Sequence, residues 1–426
     1  MKKYHSAIAD LDQRGIMPDR IPSLEPTQAG LEAIGFFTWP LWQKIQKNPE
    51  TVIVVAGTNG KGSTCATLEA LLIDAGERVG LYTSPHLMEI TERIRISGTN
   101  ITEDIFVQAY EYVAQHTQHL KLSHFEMLTL MSLWCFASGQ VLPVVDRILL
   151  EVGMGGTWDA TNAVPHGIAI ITSLAIDHER FLGSELSQIA RNKFGIIGPK
   201  MRVFHQVLPE VVKPVAKEVQ QKTQSRWTQA LTLSSKISQT ASGPEWIIQY
   251  EDQEQALQLP GPRGVENTIL ALTVFQGLGY DVKKHLSALN KVSWPGRMEK
   301  ISYKNFHRIY LSGDHNAQGL ESLLALLPSY NYEHLHIVVG IGVDKDYEFI
   351  LSQLKKLKNA RIYLTETPFK GRKLESYGPY LQQADYCNAN FEEVFEYAIK
   401  QCQPNDMLLV TGSLYLVGDI RKYITR

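Results

Sequence analysis

The run Thr51–Ala56, TVIVVA, is continuously apolar and β-branched, and it breaks directly into AGTNGKGST before a helical pattern begins. An apolar run without polar alternation suits a strand covered on both faces, an environment typical of parallel sheets. Ser63–Ala75 then starts with hydroxyl residues, carries Leu68, Leu71 and Leu72 on one face, and is stopped by Gly76. RVGLYTS, RILLEVG (Arg147–Gly153) and GIAIITS (Gly167–Ser173) repeat the strand pattern with helical stretches between them. Alternating β and α segments predict a doubly wound α/β sheet carrying a P-loop.

Between about residues 200 and 260 the pattern changes. WIIQYEDQEQALQLP reads as antiparallel strands with Gln-rich outer faces, and VENTILALTVFQGLG reads as a helix. SWPGRME (Ser293–Glu299) reads as a linker, after which HRIYLSG, HLHIVVGIG, ARIYLTE and MLLVTGS begin a second alternating series. A length of 426 residues fits two domains. The expected organisation is a larger N-terminal P-loop α/β domain over 1–296 and a smaller C-terminal Rossmann-like α/β domain over 297–426.

Lys and Arg total 42 against 44 Asp and Glu, a net charge of −2, so no global field recruits nucleic acid or an anionic membrane. Any anionic ligand must be held by local groups. Cys65, Cys135, Cys387 and Cys402 form no C-x-x-C pair, which supports neither a disulfide framework nor a zinc site. MKKYHSAIADLDQRG lacks the apolar stretch of a signal peptide, and no later run approaches the roughly 20 apolar residues of a membrane helix. The expectation is a cytoplasmic protein with no membrane or nucleic-acid partner.

The chemistry concentrates in three stretches. In Ala56–Thr64 the glycines let backbone N–H groups approach phosphate oxygens, Lys61 supplies charge, and the helix start adds its partial positive end. Gly62 separates Lys61 from Ser63, so the stretch departs from G-x-x-x-x-G-K-[ST]. In EVGMGGTWDATN, Glu151 ends a buried strand, well placed for a magnesium ion shared with nucleotide phosphates; taken alone, it equally fits a contact to a neighbouring amide. Asp177 and His178 follow the next strand, at the same predicted sheet edge.

Taken in order, GTNGKGST, TSPHLMEITERIRISG, SHFE, EVGMGGTWDATN, the Asp-His pair, PGRME and VTGSLYLVGDIR resemble the Mur-type ATP-dependent amide ligases and, within them, the dihydrofolate synthase/folylpolyglutamate synthase family. The resemblance spans essentially the whole chain. It implies that Thr58, Asn59, Gly60, Lys61, Gly62 and Ser63 hold ATP phosphates, with Asn267, Arg297 and the Ser312 position as further nucleotide contacts. It implies two magnesium sites with Ser84, Glu151 and His178 as ligands, and catalytic roles for Lys61, His178 and Lys193. Lys193 matches a lysine that the family carbamylates, whereas by itself it reads as a solvated lysine on an amphipathic helix.

The pterin pocket implied by the resemblance comprises Asp19, Arg20 and Ile21, then Ser123, His124, Phe125 and Glu126, then Trp158, Asp159 and Ala160. Phe125 suits stacking on a flat heterocycle and equally suits core packing. The sequence departs from the family at Ser312, where an Asp is usual, at Thr157, where an Arg is common, and in Asn-Lys-Phe-Gly around Lys193.

The implied activity joins L-glutamate to dihydropteroate and to the glutamate tail of reduced folates through an acyl phosphate, in a monomer. The alternatives are folylpolyglutamate synthesis only, a Mur-type ligase with another acceptor, a small-molecule P-loop kinase, or a nucleotide-binding protein without ligase activity.

Overall fold

A computed structural model describes residues 2–15, 22–240 and 243–425 of the chain. These fall into two compact units: Met1–His86, Ile90–Leu233 and Glu266–Val292 belong to the first, and Leu87–Glu89, Ser234–Val265 and Ser293–Arg426 to the second. The units are discontinuous in sequence. The second takes in Ser234–Val265, which a single cut at residue 296 would give to the first.

Among the described residues, eight strands build the sheet of the first unit: β1 (Val52–Ala56), β2 (Val79–Tyr82), β3 (Ile94–Ile96), β4 (Thr99–Asn100), β5 (Arg147–Glu151), β6 (Ile168–Ile171), β7 (Arg202–His205) and β8 (Arg226–Gln229). Their order is β4-β3-β2-β5-β1-β6-β7-β8. From β2 to β8 every neighbour is parallel, while β3 and β4 add an antiparallel edge. All residues of β1, β2 and β6 are buried, as their unbroken apolar patterns require. Register then decides which residues meet. Val55 pairs with Glu151 and Ala56 with Ile171, so β1, β5 and β6 end together and the loops that follow them leave from one edge.

The second unit holds an antiparallel sheet of β9 (Ser234–Thr240), β10 (Gly243–Tyr250) and β11 (Gln253–Leu257), with Trp246 opposite Leu257. It also holds β12 (Arg297–Tyr303), β13 (Phe306–Ser312), β14 (Leu335–Val339), β15 (Ala360–Thr365), β16 (Tyr386–Asn388) and β17 (Met407–Thr411), in the order β12-β13-β17-β14-β15-β16. β12 and β13 are antiparallel and the remaining pairs parallel. The linker expected at SWPGRME is therefore shorter than its composition suggests, because Arg297–Glu299 already belong to β12. Among the described residues no helix is long and apolar enough to cross a membrane.

Candidate functional site

The loop after β1 turns into the helix Lys61–Asp74 through Gly60, whose φ of 89° is left-handed and whose position offers no side-chain cap to the helix. Thr64 N donates to Gly60 O, so the N–H groups of Lys61, Gly62 and Ser63 precede the first intrahelical bond and point out of the helix start. That is an anion-binding arrangement, with the partial positive charge of a full-length helix behind it. Lys61 Nζ donates to the carbonyls of Gly57 and Thr58, each at 3.2 Å, which holds the ammonium over the loop.

The residues after β6 fix this loop. Thr58 N donates to Ser173 O at 2.7 Å, Thr58 Oγ1 to Ala175 O at 3.0 Å, and both Thr172 Oγ1 and Ser173 Oγ donate to Asn59 O. Two glycines are required by close approach. A Cβ at Gly57 would stand 1.9 Å from Thr172 Oγ1, and one at Gly60 would stand 2.3 Å from Asn267 Oδ1. Asn267 thus lies against the phosphate loop, and Gln206 Nε2 donates to its Oδ1 at 2.9 Å, orienting the amide.

Lys193 reaches the same loop and shares an acceptor with Lys61. It ends the helix Leu186–Lys193, is only 4% exposed, and its Nζ donates to Gly57 O at 2.9 Å. Burial, seconded by the charge of Lys61, lowers its pKa to about 7, against an opposing pull from Asp177 and Asp159. The solvated-lysine reading is overturned: Lys193 lies three and four residues after Ala190 and Ile189, on the buried face of its helix.

Glu151, 4% exposed at the end of β5, accepts from Ser84 N at 3.1 Å. His178 stands on the separate loop after β6, in a left-handed conformation (φ 53°), with its N–H on Asp177 Oδ1. Directly after Glu151 comes the glycine loop, pinned by Asp159. One oxygen of that buried carboxylate accepts from Gly153 N and Met154 N, the other from Thr161 N and Thr161 Oγ1. Burial raises its pKa, although these four bonds oppose the shift.

A Buchnera aphidicola (subsp. Schizaphis graminum) dihydrofolate synthase/folylpolyglutamate synthase is 32% identical to the chain over 378 residues, covering 86% of each. The chain belongs to the dihydrofolate synthase/folylpolyglutamate synthase family. The Escherichia coli dihydrofolate synthase/folylpolyglutamate synthase is 30% identical over 389 residues, 88% of this chain and 86% of that one. A solved structure of E. coli FolC in complex with DHPP and ADP superposes with a TM-score of 0.83 at 26% identity, covering 99% of this chain and 97% of that one. The Mur ligase, glutamate ligase domain model matches residues 296–414.

For a dihydrofolate synthase/folylpolyglutamate synthase, the expected acceptor residues turn out to carry heavy structural duty. Ser123 and Glu126 form a capping box at the helix His124–Ala137: Ser123 Oγ accepts from Glu126 N, and the Glu126 carboxylate accepts from Ser123 N and Oγ. His124 Nδ1 lies 3.1 Å from Leu11 O. Phe125 packs on Tyr82, with ring centroids 5.5 Å apart, and stands so close to Gly153 that a Cβ there would be 2.7 Å from its ring. Ala160 is buried and Trp158 is exposed. Asp19, Arg20 and Ile21 lie outside the described residues.

In the second unit, Arg297 and Ser312 are cross-strand partners. Ser312 Oγ donates to Asp314 Oδ2 at 2.6 Å, so a carboxylate stands beside the position where the family usually has one. Sequence reasoning missed Thr172, Ser173 and Gln206. The hydroxyl pair directly after an apolar strand, facing a glycine-rich loop, was the available signal for the first two.

Proposed function

We propose that the chain is an ATP-dependent ligase that joins L-glutamate to dihydropteroate and to the glutamate tail of reduced folates. The observation that carries the reading is a phosphate loop at one sheet edge on which two lysines converge, Lys61 from the helix start and buried Lys193, both donating to Gly57 O. The relatives' names and the ADP held by the E. coli protein support it.

The free N–H groups of Lys61, Gly62 and Ser63 bind the phosphates of ATP, and Lys61 balances charge on the γ-phosphate. A carboxylate oxygen of the acceptor attacks the γ-phosphorus; the bond to the bridging oxygen breaks, leaving ADP and an acyl phosphate. The amine of L-glutamate then attacks the acyl carbon, the C–O bond to phosphate breaks, and the amine proton passes to solvent. Asn267, held by Gln206, contacts the nucleotide; Arg297 and Ser312 are the nucleotide contacts that the resemblance implies for the second unit.

The buried Glu151 carboxylate, which accepts from Ser84 N, fits magnesium, and Ser84 and His178 are the further ligands that the resemblance implies. When bound, magnesium neutralises phosphate charge and orients the γ-phosphate. A pKa of about 7 leaves much of Lys193 as neutral amine near neutral pH. Its nitrogen attacks carbon dioxide, an N–C bond forms, a proton leaves to water, and the resulting carbamate gives the buried site a negative group.

ADP release measured with L-glutamate and either dihydropteroate or tetrahydrofolate, with product mass as readout, tests the ligase. A mass gain of one glutamyl residue per ADP is expected with each acceptor. ADP release without that gain overturns the proposal. Lys61→Ala is expected to lose at least a hundredfold in turnover while unfolding at the wild-type temperature, since it removes a charge from the loop and no core packing.

A further inference from the structure

The glycine loop that Asp159 pins at the end of β5 grips the Lys193 helix end on two sides. Thr157 N and Thr157 Oγ1 both donate to Asn192 O, each at 2.9 Å. Asn162 Nδ2 donates to Thr157 O at 3.0 Å and to Gly195 O at 3.1 Å, tying the segment beyond Lys193 to the same loop. The surfaces are in close contact: a Cβ at Gly156 would stand 2.7 Å from Lys193 O and 3.0 Å from Lys193 Cα, and one at Gly195 would stand 1.9 Å from Thr157 Oγ1. Asn192 O also takes the cap N–H of Phe194, so the two Thr157 donors tie the loop to an already capped helix end and anchor it.

We infer that Thr157, seated by the missing side chain of Gly156, is a positioning residue for Lys193: it fixes the helix end from which Nζ reaches the Gly57 carbonyl. The chain of contacts runs from the end of β5 through Asp159 and Thr157 to Asn192, then through Lys193 to the phosphate loop. A lysine stem is flexible, but Lys193 is enclosed, so a displaced helix end cannot be recovered by choosing another rotamer. A shift of the backbone by about 1 Å carries Nζ beyond hydrogen-bond distance of Gly57 O. The inference rests on the proposed role of Lys193.

Full-length Thr157→Val, Thr157→Ser, Gly156→Ala and Lys193→Ala are to be depleted of carbon dioxide and titrated with bicarbonate, with glutamate-dependent ADP release as the signal. Thr157→Val keeps the volume and loses the hydroxyl donor; Gly156→Ala forces the two backbones apart. For both, the bicarbonate giving half-maximal recovery is expected to rise about tenfold and kcat at saturating bicarbonate to fall about tenfold, short of the hundredfold of a full 1 Å misplacement. The KM for ATP is expected to stay within about twofold, and Thr157→Ser to behave as wild type. Wild-type bicarbonate response and kcat in Thr157→Val overturn the inference, and this variant decides alone if Gly156→Ala does not fold. Wild-type turnover in Lys193→Ala overturns the reading of Lys193 itself, whereas a crippled Lys193→Ala beside a normal Thr157→Val removes only the role of Thr157.

Discussion

An ammonium group loses most of its hydration when its residue is buried as deeply as Lys193, and one carbonyl acceptor does not replace it. Lys193 therefore prefers the neutral form in the fold, with a pKa of about 7 against an ordinary 10.5. Between those values the unfolded chain binds the extra proton, so stability rises with pH across that window; below about pH 7 the fold carries the full cost of the buried charge. Lys193→Met in carbon dioxide-free buffer is thus expected to exceed wild type in stability at pH 6 by several kcal/mol, on the order of the linkage value. The gap is expected to shrink steadily as pH rises towards 10. Urea unfolding of both proteins across that range checks it, and a gap independent of pH would mean that Lys193 is not neutral in the fold. Part of this was legible, since LSQIARNK places Lys193 on the face of Ile189 and Ala190. The acceptor was not, because Gly57 lies 136 residues away and only the register of β1 and β6 brings it near.

At the scale of elements, one short motif supports two readings. Ser-x-x-Glu directly before MLTLMSLWCFA is the pattern of a capping box as well as a fragment of an acceptor pocket, and in the fold both Ser123 and Glu126 satisfy donors at the start of a buried helix. Ser123→Ala is expected to cost about 1 kcal/mol of stability, with Ser123→Thr close to wild type. Chemical denaturation gives the number directly, and a loss well under half of it would show that the box contributes little. A cap also predicts a kinetic outcome: the KM for dihydropteroate should move no more than the KM for ATP. A selective rise for dihydropteroate in Ser123→Ala would assign the hydroxyl to substrate instead. Asp159 follows the same logic, since its four hydrogen bonds use the acceptor capacity of both oxygens. The sequence marks it as important, but a carboxylate just after a run of glycines looks alike whether it binds ligand or ties a loop.

For the molecule as a whole, strand patterns revealed the α/β class because continuous apolar runs survive any arrangement of the chain, but they carry no record of which segments pack together. Ser234–Val265 thus reads as a tail of the first domain, while its strands belong to the second compact unit. The site is readable at this scale for a different reason: parallel strands β1, β5 and β6 end level, so motifs that follow strands must share an edge. The same geometry constrains acceptor use. The sequence contains one GTNGKGST stretch, so one loop presents one γ-phosphate, and two acceptors must bring their carboxylates to it in turn. With ATP, L-glutamate and both acceptors saturating, a mixture of dihydropteroate and tetrahydrofolate should release ADP at a rate between the two separate rates, weighted by how well each acceptor binds. Each should also lower the yield of the other's glutamylated product, read by mass. Rates that add in the mixture would require two independent sites of phosphoryl transfer, which a single phosphate loop does not provide; a rate with dihydropteroate alone that never rises above background would leave an enzyme confined to extending folate tails.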